Sequence, residues 1–306
     1  MMLRRIFVLS VLGVLAVACG GSDDSSGGGG SGGGAGTGTG GGAGMGTGGA
    51  GGSTTKTCPS PYGTFVVVGD SISDVGSGTN LPAQQPFYRD LLVQNDDGLY
   101  PDWQGKDLTT CWGSVNVLKV SKGGAKTPDL VNQVKGLPAS LPGPVLVVGT
   151  IGGNDVQAAL PAVLLGQDVS NQLAAFTKNI DDTFAELTKP DRFGPGVQVQ
   201  VLLTNVYDPS GGTGDFSFSS GSKCPGLLSA FPTGTKTDPL LQPWNDAMQT
   251  EADKYPNVEL LDLHADFYDH AVNKPDTWWF VDCIHPNTAG HEAIRELFWP
   301  AMVAAP

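Results

Sequence analysis

Two short runs of apolar, mostly β-branched residues that end in glycine constrain this chain most: Thr64–Gly69 (TFVVVG) and Val145–Gly149 (VLVVG). An unbroken apolar run of that length has no polar face to give to water, so it belongs in a strand covered on both sides. Val199–Thr204 (VQVLLT) and Val258–Leu263 (VELLDL) repeat the pattern, and Val115–Val120 is a weaker version. Helical periodicity falls between them, over Pro86–Gln94, Thr127–Val134, Val169–Leu187, Leu240–Tyr255 and Thr288–Trp299. The third of these is the clearest, with Leu173, Phe176, Ile180, Phe184 and Leu187 three or four apart. Strands alternating with helices predict an α/β protein: a three-layer α/β/α fold around a five-stranded, mostly parallel sheet.

That pattern occupies only part of the 306 residues. Arg4 and Arg5 followed by the apolar stretch Ile6–Ala18 read as an export signal, too short for a membrane span. Residues 20–52 hold 20 of the 45 glycines and show no apolar period, so residues 19–56 are expected to be a disordered Gly/Ser-rich tether. A flexible coil of about 37 residues spans roughly 35 Å. Residues 57–306 remain for one domain. The net charge of −13 argues against a nucleic-acid partner. The segment Ala16-Val17-Ala18-Cys19 resembles the lipobox of bacterial lipoproteins, with Leu15 one place upstream of its usual position. That resemblance implies lipidation of Cys19, and Gly20 rather than Asp after it favours the outer membrane; ordinary cleavage after Ala18 and secretion fit the small residues equally. A membrane would then be met only through the lipid anchor.

Open α/β sheets carry their sites at the carboxyl ends of the strands. There the sequence places Gly69-Asp70-Ser71-Ile72-Ser73-Asp74, Ser121-Lys122-Gly123-Gly124-Ala125 and Gly152-Gly153-Asn154-Asp155, while Asp282-Cys283-Ile284-His285-Pro286-Asn287 precedes the last helix. A serine hydrolase needs a nucleophile, a general base, a group orienting the base, and donors for the oxyanion. Ser71 on a strand-to-helix turn can supply the first and its own N–H; Gly124 can bring a backbone N–H close, and Asn154 offers a side-chain amide. Asp282 and His285, three apart on one turn, can both face Ser71.

The constellation resembles the SGNH hydrolases, also called GDSL esterases and lipases. The matching blocks are Gly69-Asp70-Ser71-Ile72-Ser73 (family GDSLS), Gly152-Gly153-Asn154-Asp155 (GGND) and Asp282-x-x-His285-Pro286-Asn287 (DxxHPN), in family order across nearly all of residues 60–300. The resemblance implies a flavodoxin-like fold and a cofactor-free, metal-free serine esterase acting through an acyl-enzyme. Ser71 becomes the nucleophile, His285 the base and Asp282 its partner, with the Ser71 N–H, Gly124 and Asn154 as the oxyanion hole. The family usually has Asn where this chain has Lys119, five before the oxyanion glycine, which leaves Gly123 as an alternative to Gly124. A carboxylic ester of small to medium acyl length is expected as substrate. Glycan O-deacetylation, phospholipid hydrolysis or a non-catalytic tethered binding module are the alternatives, and a monomer is expected.

Five cysteines, 19, 58, 111, 224 and 283, make an odd count that lipidation of Cys19 resolves, leaving four and three possible pairings. Cys283 lies inside the Asp–His turn, where a free thiol is an oxidation liability. Bonding it to Cys224 would remove the liability and pin the long Gly/Ser/Pro-rich stretch Asp208–Pro239, and Cys58 then pairs with Cys111. Asp155, His264 (closing the fifth strand), His270 and His291 are expected to be structural, and Asn95-Asp96-Asp97-Gly98 an exposed turn. Trp278-Trp279-Phe280 is either core or one wall of an acyl pocket.

Overall fold

The computed structural model describes residues 58–74, 86–232 and 234–305. The expected signal, Cys19 with its lipid, and the tether through residue 56 lie outside the described residues.

Five strands form one sheet: β1 (Thr64–Gly69), β2 (Val117–Lys119), β3 (Val145–Thr150), β4 (Val199–Thr204) and β5 (Val258–Leu261). Their order is β2-β1-β3-β4-β5, and every pair is parallel rather than most of them. Alternate side chains divide between two cores, as strand geometry requires. Phe65, Val67, Leu146, Val148 and Leu202 face one core, and Val66, Val68, Val147, Val201 and Leu203 face the other. The second core is closed by α3 (Thr127–Lys135), α5 (Ser170–Thr188) and α6 (Asp238–Ala252). Phe176, Ile180, Phe184 and Leu187 make up the buried stripe of α5. The first is closed by α1 (Tyr88–Val93), α2 (Leu108–Trp112), α7 (Leu263–Tyr268) and α8 (Thr288–Ala304). The remaining helix, α4 (Gly153–Leu164), starts at the carboxyl end of β3.

Three features differ from the sequence expectation. The fifth strand stops at Leu261 instead of Leu263, because the Asp262 side chain accepts from the Ala265 N–H (3.1 Å) and caps α7. His264 therefore sits in the first turn of a helix and not at a strand end. Helix α4 follows directly on Gly152, whose φ of +108° makes the sharp turn out of the strand. Helix α2 is likewise unforeseen, and Asp107 caps it through the Thr110 N–H at 2.8 Å.

Among the described residues two disulfides are present, joining Cys58 to Cys111 and Cys224 to Cys283. The stretch Asp208–Pro239 is irregular but packed: Phe216, Leu228 and Phe231 are buried in it. Buried Asp208 organises it, accepting from the Ser210 N–H (2.8 Å), the Gly212 N–H (3.1 Å) and the Thr237 hydroxyl. Among the described residues no helix is long and apolar enough to cross a membrane.

Candidate active site

The strand ends converge on one cleft, and β1 delivers Ser71 to it. The chain leaves β1 through Gly69 at φ +111°, where a Cβ would lie 2.0 Å from the Thr150 carbonyl oxygen. No other residue fits there. Gln133 of α3 holds that glycine at both ends, accepting from its N–H (2.7 Å) and donating to its carbonyl (2.8 Å). Asp70 and Ser73, on either side of Ser71, are buried and tied to β3. The Thr150 hydroxyl donates to Asp70 Oδ1 (2.7 Å), and the Thr150 N–H donates to Ser73 Oγ (3.1 Å). Burial pushes the Asp70 carboxyl up to about 6, against the pull of the Thr150 and Ile72 hydrogen bonds and the nearby His285.

The opposite wall comes from the turn before α8. Asn287 caps that helix, accepting from the Gly290 N–H (3.0 Å), and its amide donates to the Thr277 carbonyl (2.8 Å), which fixes where the turn begins. Within the turn Asp282 Oδ1 accepts from the backbone N–H groups of Ile284 and His285, both at 2.9 Å. Tyr207 donates its hydroxyl to the Ile284 carbonyl at 2.6 Å. Cys283 takes φ +58° and is fully buried in its bond to Cys224, so the turn is fastened to the 208–239 segment.

These two walls bring Ser71, His285 and Asp282 into line. Ser71 Oγ lies 2.8 Å from His285 Nε2, and His285 Nδ1 lies 2.7 Å from Asp282 Oδ2. Burial would raise the Asp282 carboxyl, but the hydrogen bonds from the His285 ring, the His285 N–H and the Ile284 N–H outweigh it and hold it below the ordinary carboxylate value. An ionised carboxylate can only accept, so the proton between them belongs to Nδ1, and Nε2 presents its lone pair to the serine hydroxyl.

Asn154 lines the same cleft, at the start of α4. Its amide donates one hydrogen to the Ala125 carbonyl (3.0 Å), which fastens it to the residue after Gly124 and leaves its second hydrogen available. The two candidate glycines are not equivalent. The Gly123 N–H donates to Asp74 Oδ2 (2.7 Å), whereas the N–H groups of Gly124 and Ser71 have no partner among the described residues. Gly124 is exposed with φ +75°, and a Cβ there would meet open space. Lys119, in place of the family's asparagine, pairs with Asp90 at 2.5 Å on the sheet edge.

The bystanders sort as follows. Asp155 accepts from the Thr127 N–H and hydroxyl (2.8 Å for the latter) and so secures the start of α3. His264 is half-buried 3.7 Å from Asp238, and His270 stacks on Trp278. His291 is buried in α8, with Phe87 edge-on to its ring and Tyr88 stacked on it. In the Asn95–Gly98 turn Asn95 is buried instead of exposed, accepting from the buried Arg295 guanidinium at 2.7 Å. Trp279 belongs to the core beside Tyr207 and Phe267. Among the described residues no group of three or more His, Cys, Asp or Glu is placed to hold a metal ion. Thr150, Gln133 and Tyr207 escaped the sequence reading. For Thr150 a signal existed: in-register parallel pairing of the two strands puts it beside Gly69.

The sequence model of the GDSL-like lipase/acylhydrolase family matches residues 67–293, from within β1 into α8. The chain belongs to this family. It is accordingly a carboxylic ester hydrolase. Among solved structures, the family member described here is similar to an α/β hydrolase, LAE5, from the metagenome of Lake Arreo, Spain, at 21% identity. The likeness covers 78% of this chain and 94% of that one, with a TM-score of 0.48. It is similar to the acetylxylan esterase Axe2 of Geobacillus stearothermophilus at 16% identity, covering 79% and 94% with a TM-score of 0.48. Similarity to phospholipase A1 of Streptomyces albidoflavus stands at 20% identity, 80% and 100% coverage and a TM-score of 0.48. No curated protein matches the chain.

Proposed function

We propose that this acylhydrolase is a serine esterase working through an acyl-enzyme, with Ser71 as nucleophile, His285 as general base and Asp282 orienting His285. The observation that carries this is the unbroken line from Asp282 through His285 to Ser71, with separations of 2.7 and 2.8 Å. His285 Nε2 takes the hydroxyl proton as Ser71 Oγ attacks the ester carbonyl carbon. The oxyanion is met by the N–H groups of Ser71 and Gly124 and the Asn154 amide, a reading supported by the commitment of the Gly123 N–H elsewhere. Collapse expels the alcohol, which receives the proton from His285. Water activated by the same ring then releases the acid and restores Ser71.

The proposed substrates are esters of small to medium acyl length, on a small molecule, lipid or glycan. We further propose that a lipid on Cys19 holds the enzyme at the cell envelope, as a monomer on its tether. The test is labelling by a fluorophosphonate together with hydrolysis of p-nitrophenyl esters. Both are expected to be lost in Ser71→Ala and in His285→Ala. Activity that survives Ser71→Ala would overturn the nucleophile, and a wild-type chain inert to ester and label alike would make it a binding module.

A further inference from the structure

Adjoining the cleft that holds Ser71 is a second cavity of the same size, about 90 Å³ each, which the serine does not line and which is termed the inner cavity. Val156, Leu160, Tyr207, Pro209 and Leu228 line both, so these side chains are the partition between them. The far walls of the inner cavity are Phe216, Phe231, Leu240, Leu241 and Trp244. Two polar side chains also reach it, Asp208 and Thr237, and they are bonded to each other. Asp208 is further saturated by Ser210 and Gly212, and the Tyr207 hydroxyl is spent on the Ile284 carbonyl. A sugar or phosphate placed there would surrender its hydrogen bonds to water and find none in exchange. A hydrocarbon chain would give up nothing and leave water.

We infer that the inner cavity is the distal part of an acyl-chain site, and that Leu228 and Leu160 govern how far a chain extends from Ser71 into it. The inference rests on the esterase reading of Ser71 and narrows its substrate to esters of medium-chain fatty acids. Continuity supports it: α4 brings Asn154 to the cleft with its first turn and Leu160 to the partition two turns later. Leu228 comes from the short 3₁₀ turn Gly226–Ala230, close behind Cys224, whose disulfide partner Cys283 lies between Asp282 and His285. The long irregular segment thus has a use: it supplies the wall against which the acyl chain is measured, clamped to the turn that carries the base.

The experiment compares kcat/KM on p-nitrophenyl acetate, butyrate, octanoate and palmitate. Each methylene seated against the apolar wall is expected to raise kcat/KM about fourfold, so the wild type prefers octanoate to butyrate and falls again at palmitate. Val163 lines the inner cavity and not the cleft. Val163→Phe fills it, and the octanoate-to-acetate ratio is expected to drop about tenfold or more. Leu228→Ala opens the partition and moves the optimum toward longer chains. Ala159→Leu, on the same wall, repeats the filling should Val163→Phe fail to fold. A wild-type profile that declines from acetate onward overturns the inference, as does an octanoate-to-acetate ratio that the filling variants leave unmoved. Ser71-dependent acetate hydrolysis in those cases leaves the esterase reading standing; loss of all ester hydrolysis in the wild type removes both.

Discussion

His291 sets up a pH response that can be worked through from its surroundings. Its ring is buried in α8 against Phe87 and Tyr88. Burial first, and then the positive charge of Arg89 and the proximity of His285, depress it from 6.5 to about 3. An unfolded chain takes up a proton on this ring below pH 6.5 that the folded protein refuses until about pH 3. Its contribution to stability is complete above 6.5 and drains away as the pH falls. Between pH 7 and pH 5 the loss is about 2 kcal/mol. Asp70 runs the other way, since its folded carboxyl is raised from 3.8 to about 6 by burial. The folded protein holds that proton where the unfolded chain has released it, so acidification over the same interval returns about 1 kcal/mol. The perturbation is His291→Phe, which keeps an aromatic ring against Phe87 and Tyr88 and removes the titration. Guanidinium unfolding at pH 7 and pH 5 should show the wild type losing about 2 kcal/mol more than the variant across that interval, whatever offset the larger ring introduces. Stability curves that run parallel to within about 0.5 kcal/mol would refute the reasoning, because no other group differs between the two proteins.

Three other outcomes follow from the geometry. Asn154→Ala should lower kcat about a hundred- to a thousandfold on a p-nitrophenyl ester with KM little changed, and a rate within about twofold of wild type removes the residue from the oxyanion hole. Gly69→Ala drives a Cβ to 2.0 Å from the Thr150 carbonyl oxygen at φ +111°, and should cost about 3 kcal/mol or more in thermal unfolding; an unchanged Tm contradicts the close approach. Replacing Cys224 and Cys283 together by Ser opens a loop of 59 residues, with an expected loss of about 4 kcal/mol in denaturant unfolding. A loss below about 1 kcal/mol would mean the 208–239 segment holds itself in place.

What could be read from the sequence was what repeats or what clusters. β1, β3 and β4 announce themselves because runs buried on both faces leave few polar positions. Ser71, Asn154, Asp282 and His285 stand out because three short blocks recur together in order. Helix α4 was hidden by its own chemistry: Gly152, Gly153, Asn154 and Asp155 read as a turn, and Pro161 interrupts the helix. The decision to make a helix there lies in the left-handed Gly152, a conformation that no side-chain pattern encodes. The end of β5 was misplaced for a related reason, since Leu260, Leu261 and Leu263 look alike until Asp262 turns to cap α7. Gln133 and Tyr207 were out of reach because each acts across the fold on a backbone group far away in sequence, whereas Thr150 could be placed only once β1 and β3 were paired in register. The preference for Gly124 over Gly123 was already drawn from the sequence, and the bond from the Gly123 N–H to Asp74 supports it.

Ser71 and His285 meet across 214 positions of sequence. With the roles proposed for them, this separation has a consequence for how the protein is made. The nucleophile emerges from the ribosome early, and the last strand of the sheet is complete at Leu261, yet no base exists until residue 285 has been added and its turn has docked. A nascent or clipped chain therefore carries a serine that nothing can deprotonate. On those roles, ester hydrolysis can begin only once residue 285 has been added and its turn has docked beside Ser71.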